Sequence, residues 1–289
     1  MSAPSDPPDP PDSDRTPGPG GARPMTALLA TGWALGTTFV FFVLIGALVA
    51  ARPNAADDVV SIFACQAIAY LLGLFLILRT HAPDAGIRDF VGARPTSPLF
   101  YPLAVLLGGA LEIPANALYN AIERRWPSQA EDTLGKLFQG AAAPKRALIM
   151  LVVVVCGPVL EEVFFRGALF RPMRKLHPGG MVVLVTAVLF ALAHPAFQMY
   201  VPIALVGLAL GVVRLASGSI LPSMVVHATF NAVPFVAMIL SPGSADSDAP
   251  MAPWLVVAGT AATLVILGAV FLLGARAPRA VHAQEADLR

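Results

Sequence analysis

Residues 25 to 274 divide into apolar runs at 25–50, 57–79, 99–122, 146–170, 180–198, 200–217, 220–240 and 252–274. Each approaches the roughly 20 residues that a helix needs to cross the hydrocarbon core of a bilayer. In lipid every backbone polar group must be satisfied internally, so such runs fold as helices. The expected fold is therefore all-α, a polytopic transmembrane helix bundle of about eight spans in one domain over 25–274. An apolar fraction of 56% with only 13% charged residues agrees, and the lipid bilayer is the expected partner. A net charge of +1 with no long basic run gives no nucleic-acid signature. The fifth and sixth runs join near Pro195 and Pro202 with almost no loop, which admits a kinked or re-entrant arrangement.

The flanks differ in kind. Residues 1–24 are rich in proline and aspartate and poor in apolar side chains, so a disordered tail is expected there, followed by a retained span and not a cleaved signal. Residues 275–289 form a C-terminal tail. Ser128 to Gly140 mixes Leu134, Leu137 and Phe138 with Glu131, Asp132 and Lys136, which suits a short amphipathic helix on the membrane surface. Twelve Lys and Arg residues fall in the tails and in the loops at 79–98, 171–179 and 214–219, against six on the other side. That bias places both termini in the cytoplasm, with the plasma membrane as the expected location. Cys65 and Cys156 lie in apolar runs without a CxxC pairing and read as small buried residues.

Few ionisable groups fall well within the spans: Glu112, Glu161, Glu162, Arg166, His194 and His227. A charged carboxylate near the bilayer centre costs at least roughly 2.5 to 3.5 kcal/mol, so these positions call for a reason. Glu162 and Arg166 stand four residues apart on one helix and can pair. Glu161, about 100° around the same helix, lacks that partner. "FALAH" contributes His194, and "HATFN" contributes His227 with Asn231 one turn further on. A carboxylate, two imidazoles and a carboxamide inside a bundle have the composition to bind and activate water. Zinc on Glu161, His194 and His227 with one open position is an alternative use of the same groups. Depth along the helices sets Glu161 and His227 roughly 10 Å below the cytoplasmic surface and His194 about 20 Å in.

Read together, "EEVFFR", "FALAH" and "HATFN" have the forms EExxxR, FxxxH and HxxxN in order on successive helices. The pattern resembles the CPBP intramembrane protease family, which contains type II CAAX prenyl endopeptidases and bacterial Abi-type proteins, and covers roughly 144–240. The resemblance implies that Glu161 and His194 activate the attacking water and that His227 and Asn231 stabilise the transition state or complete a metal site. It implies a supporting role for Glu162 and Arg166. The expected activity is an intramembrane endopeptidase, zinc-assisted or metal-free, that cuts a membrane-associated peptide or protein near the cytoplasmic face without an acyl-enzyme. Two other classes use the same inventory: a non-proteolytic immunity or scaffold protein, and a Glu/His-based ion or metal transporter. No duplication between the chain's halves favours the transporter. Glu112, Asn116 and Asn120 read as interhelical polar glue, and Gly207 with Gly211 as a close helix contact.

Overall fold

The computed structural model describes residues 22–127, 133–241 and 251–276. Most of the expected N-terminal tail, the start of the 128–140 segment and most of the C-terminal tail lie outside the described residues.

The long helices are α1 Ala27–Ala51, α2 Val59–His81, α4 Phe100–Arg125, α6 Ala143–Arg174, α8 Tyr200–Ser217, α9 Ile220–Leu240 and α10 Pro253–Arg276. Among the described residues these seven passages are apolar and long enough to span a membrane, and there is no strand. Three shorter helices complete the bundle: α3 Ile87–Val91, α5 Thr133–Gly140 and α7 Gly179–Leu192. Starts are set by side chains that accept otherwise orphaned N–H groups: Thr26 for α1, Asp58 for α2 and Ser219 for α9. Asp58 also accepts a hydrogen bond from Ser61 at 2.6 Å, which holds its carboxyl below its ordinary range.

Large apolar side chains such as Leu28, Phe39, Val257, Leu264 and Phe271 face outward. Outward apolar surface on long helices is the inverse of a water-soluble surface and marks a multi-pass membrane protein. The centre is packed with Phe164, Phe165, Phe190, Leu107, Leu111 and Leu210.

Chain direction alternates, so the bundle has two ends. At the first end, the Arg23 N–H donates to the His81 carbonyl, Met25 to Pro172, and Ile220 to Gly92. Arg94 and Thr96 reach the Gly218 and Ser217 carbonyls there, and Gly274 meets Ala216. Both Met25 and Arg276 thus belong to this end, together with the basic loops. At the second end, Gln198 donates to the Trp126 carbonyl, and Phe138 of α5 stacks edge-on against Phe235 of α9.

Two departures from the expected spans bear on the site. The fifth span runs 14 residues and stops at Leu192, well short of 198. Pro195 has no N–H and disfavours helical backbone at His194, so His194 lies in the turn beyond the helix. The fourth span continues to Arg174, past the expected 170. Gly207 and Gly211 are the close contact that their spacing suggested. A Cβ at Gly207 would stand 2.9 Å from Ala187 Cα, and one at Gly211 would stand 2.9 Å from Val183.

Candidate active site

α6 is not a uniform α-helix. Leu151–Cys156 and Val163–Leu169 are π-helical, and the turn that carries Glu161 and Glu162 lies between them. Such wide turns inside α-helices are frequent at functional sites. The first has a local cause. The Gly157 N–H bonds to the Val152 carbonyl, five residues back. The next donor in that register would be residue 158, but Pro158 has none, so the Val153 carbonyl is orphaned. Asn231 of α9 donates to it from Nδ2 at 2.9 Å. Asn231 therefore ties α9 to α6 at the turn that leads into the two glutamates.

Glu162 and Arg166 form a pair shielded completely from solvent. Arg166 Nη1 donates to Glu162 Oε1 at 2.8 Å, and Nη2 donates to the Gly207 carbonyl at 3.0 Å. The guanidinium lies over the Phe190 ring, 4.5 Å from its centroid. His227 Nδ1 is 3.2 Å from the same Glu162 oxygen. A carboxylate only accepts, so Nδ1 carries the proton. The supporting pair thus fixes the ring of His227 and turns Nε2 toward Glu161 Oε2 at 3.6 Å.

Glu161 is held from the other side by a residue outside the three motifs. Gln66 of α2 donates from Nε2 to Glu161 Oε1 at 2.7 Å. His194 Nδ1 sits 2.9 Å from the Phe190 carbonyl, which again makes Nδ1 the protonated nitrogen. Nε2 is left as an acceptor on a ring that lines the cavity.

Glu161, His194, His227 and Asn231 all line one cavity of about 400 Å³. The structure thus brings the four expected catalytic residues together from α6, the turn after α7, and α9. Leu134 and Gly135 of α5, with Phe235 and Met238 late in α9, carry the lining to the second end of the bundle. Thirteen residues separate Glu161 from Arg174, which is about 20 Å along the helix and matches the depth of His194. His227, nearer its helix start, is nevertheless level with Glu161, since its Nε2 stands 3.6 Å from Glu161 Oε2. The site is therefore deeper than the roughly 10 Å read from the sequence, and its cavity extends away from the end with the basic loops.

A zinc ion needs at least three donors around one point. Among the described residues no three His, Cys, Asp or Glu side chains are grouped to hold a metal ion. The set of Glu161, His194 and His227 is not assembled as ligands in this arrangement. Glu112 also differs from expectation. It lines the cavity and its Oε2 has no hydrogen-bond partner, so it does not act there as glue between helices.

A membrane-embedded helix bundle with a carboxylate and two imidazoles around an internal cavity holds the groups that an intramembrane hydrolase needs. Residues 143–233 match the family model described as type II CAAX prenyl endopeptidase Rce1-like. The chain is also 31% identical over 172 residues to an uncharacterized 24.3 kDa protein of Escherichia coli, covering 55% of this chain and 71% of that protein. No solved structure matches. The chain belongs to the Rce1-like, CPBP family, and that membership supports a CAAX-type intramembrane protease.

Proposed function

We propose that the protein is an endopeptidase that hydrolyses a membrane-associated peptide with a water molecule activated by Glu161 and His194. The observation that carries this reading is the division of labour on Glu161. Gln66 holds Oε1, whereas Oε2 faces His227 Nε2 across 3.6 Å at the cavity wall. That gap is too long for a direct hydrogen bond and leaves a carboxylate oxygen available to water. Glu161 or His194 takes one proton from the water as its oxygen bonds to the peptide carbonyl carbon. His227, oriented by Glu162, stabilises the developing oxyanion from Nε2 once it holds a second proton and is an imidazolium. The C–N bond then breaks as the abstracted proton passes to the departing nitrogen, and a carboxylic acid and an amine leave.

The cavity and the chain ends also constrain where the cut falls. If the lysine and arginine bias sets the first end in the cytoplasm, the cavity reaches the opposite face. With cytoplasmic termini, the lining at Leu134 and Gly135 then favours a cut toward the opposite face. Labelling of single cysteines at Ser97 and Gln139 with an impermeant reagent in intact cells assigns the two ends.

The function is tested by comparing membrane proteomes of cells carrying the normal gene and the Glu161→Gln variant, with purified protein assayed on the peptides found. A peptide terminus that disappears in the variant, and is regenerated by the normal protein in vitro, is the expected result. Identical termini together with inert purified protein would overturn hydrolysis in favour of a binding or transport role.

A further inference from the structure

Glu112 enters the cavity from α4, a helix outside the matched motif region. Its placement follows from Gly108, one turn earlier. A Cβ there would stand 2.6 Å from the Val226 carbonyl and 2.7 Å from Thr229 Cβ, so only glycine lets α4 press this closely on the His227 turn of α9. Glu112 consequently opens onto the same space as Glu161, His194 and His227. Its Oε2 is buried without a hydrogen-bond partner. A buried carboxyl oxygen left bare is destabilising, and such a group in a native fold points to a missing partner.

The N–H donors seen bonded around the site are committed elsewhere, with the Nδ1–H groups of His194 and His227 on Phe190 and Glu162. The Gln66 amide serves Glu161, Asn231 serves Val153, and Arg166 serves Glu162 and Gly207. Among the described residues that line the cavity there are two glutamates and no lysine or arginine, and most of the remaining wall is apolar. A wall of this kind complements a chain that brings its own cation, because charge-assisted N–H donors are the strongest partners for a bare carboxylate. The apolar remainder accommodates the methylene stem of a long basic side chain.

Building on the endopeptidase reading above, we propose that Glu112 is a specificity-determining residue that receives a lysine or arginine side chain of the peptide substrate. Uncharged donors are the competing occupants, and the test separates them.

The test uses the purified full-length protein and peptides in which one lysine is moved along a leucine-alanine sequence, with norleucine and glutamine versions at each position. At one position the wild type should favour lysine over norleucine in kcat/KM. Glu112→Gln should reduce that lysine-to-norleucine ratio by about tenfold or more, as expected for loss of a charged hydrogen-bond partner. Glu112→Lys should invert the preference toward a glutamate peptide at the same position. An unchanged ratio, or a Glu112-dependent preference for glutamine equal to that for lysine, would overturn the proposal. Binding of the same fluorescent peptides to the Glu161→Gln protein, with and without Glu112→Gln, separates this inference from hydrolysis. Glu112-dependent lysine binding with no cleavage by the wild type would sink the endopeptidase reading and leave the cation site standing. Cleavage with no such dependence would do the reverse, and neither signal would remove both.

Discussion

Gln66 on α2 donates to Glu161 Oε1 at 2.7 Å, across 95 residues of sequence. This bond decides which carboxylate oxygen is left to face His227, so α2 positions the acid although it belongs to no motif. Gln66→Leu should lower kcat by about 10- to 100-fold, the equivalent of one hydrogen bond to a charged group. KM should change little, since the side chain does not line the cavity. Steady-state kinetics on protein of matched membrane level checks this. A parallel loss of protein and rate would mean that Gln66 is only a packing group.

Glu161→Ala and His194→Ala should abolish cleavage while the protein still inserts and accumulates. Both side chains sit on the cavity wall, so their removal leaves the packed centre intact. Normal turnover by either purified variant would remove that residue from the catalytic set.

Arg166→Ala should lower accumulation more than any cavity substitution. It strands a fully buried Glu162, and breaking such a pair costs about 3 to 5 kcal/mol. The double change Glu162→Gln with Arg166→Gln should recover membrane level. It should not recover activity, because His227 Nδ1 loses its carboxylate. Full activity in the double variant would show that His227 needs no such orientation.

Asn231→Ala should destabilise the protein by about 1 to 3 kcal/mol through the orphaned Val153 carbonyl, apart from any effect on chemistry. Adding Pro158→Ala restores a backbone N–H and should recover thermal stability. If activity returns as well, Asn231 works through the helix backbone alone. If activity stays low, it also touches the reacting groups.

Zinc is decided by measuring metal content and peptide cleavage on one sample. The geometry leads to the expectation of full rate at well under one metal per chain, because no three ligating side chains are grouped among the described residues. Inactivation by chelator with recovery on added zinc or cobalt would require the ligands to move together when metal binds.

The helical bundle and the pair Glu162 and Arg166 were legible because each follows from length or helical spacing, whereas the company of Glu161, His194, His227 and Asn231 was legible from the short intramembrane inventory and the family resemblance of three ordered motifs. Gln66 was not. A carboxamide in an apolar run carries no partner signal, although it is the only one in α2. The π-helical turns escaped because a single inserted residue does not disturb an apolar run that lacks a polar face. The early end of α7 was written in Pro195, but an apolar sequence on both sides of it concealed the stop. Glu112 was visible as an intramembrane acid. Whether its oxygen met a partner depended on how closely Gly108 let two helices approach, which spacing along one helix does not encode.

The bundle receives the chain at Met25 and releases it at Arg276 on one face, while the cavity runs to the other. The bilayer therefore stands between them as a partition. A reagent that grips the first end at Met25 or Arg276 and a water-soluble blocker that enters past Leu134 and Gly135 must be delivered to opposite compartments.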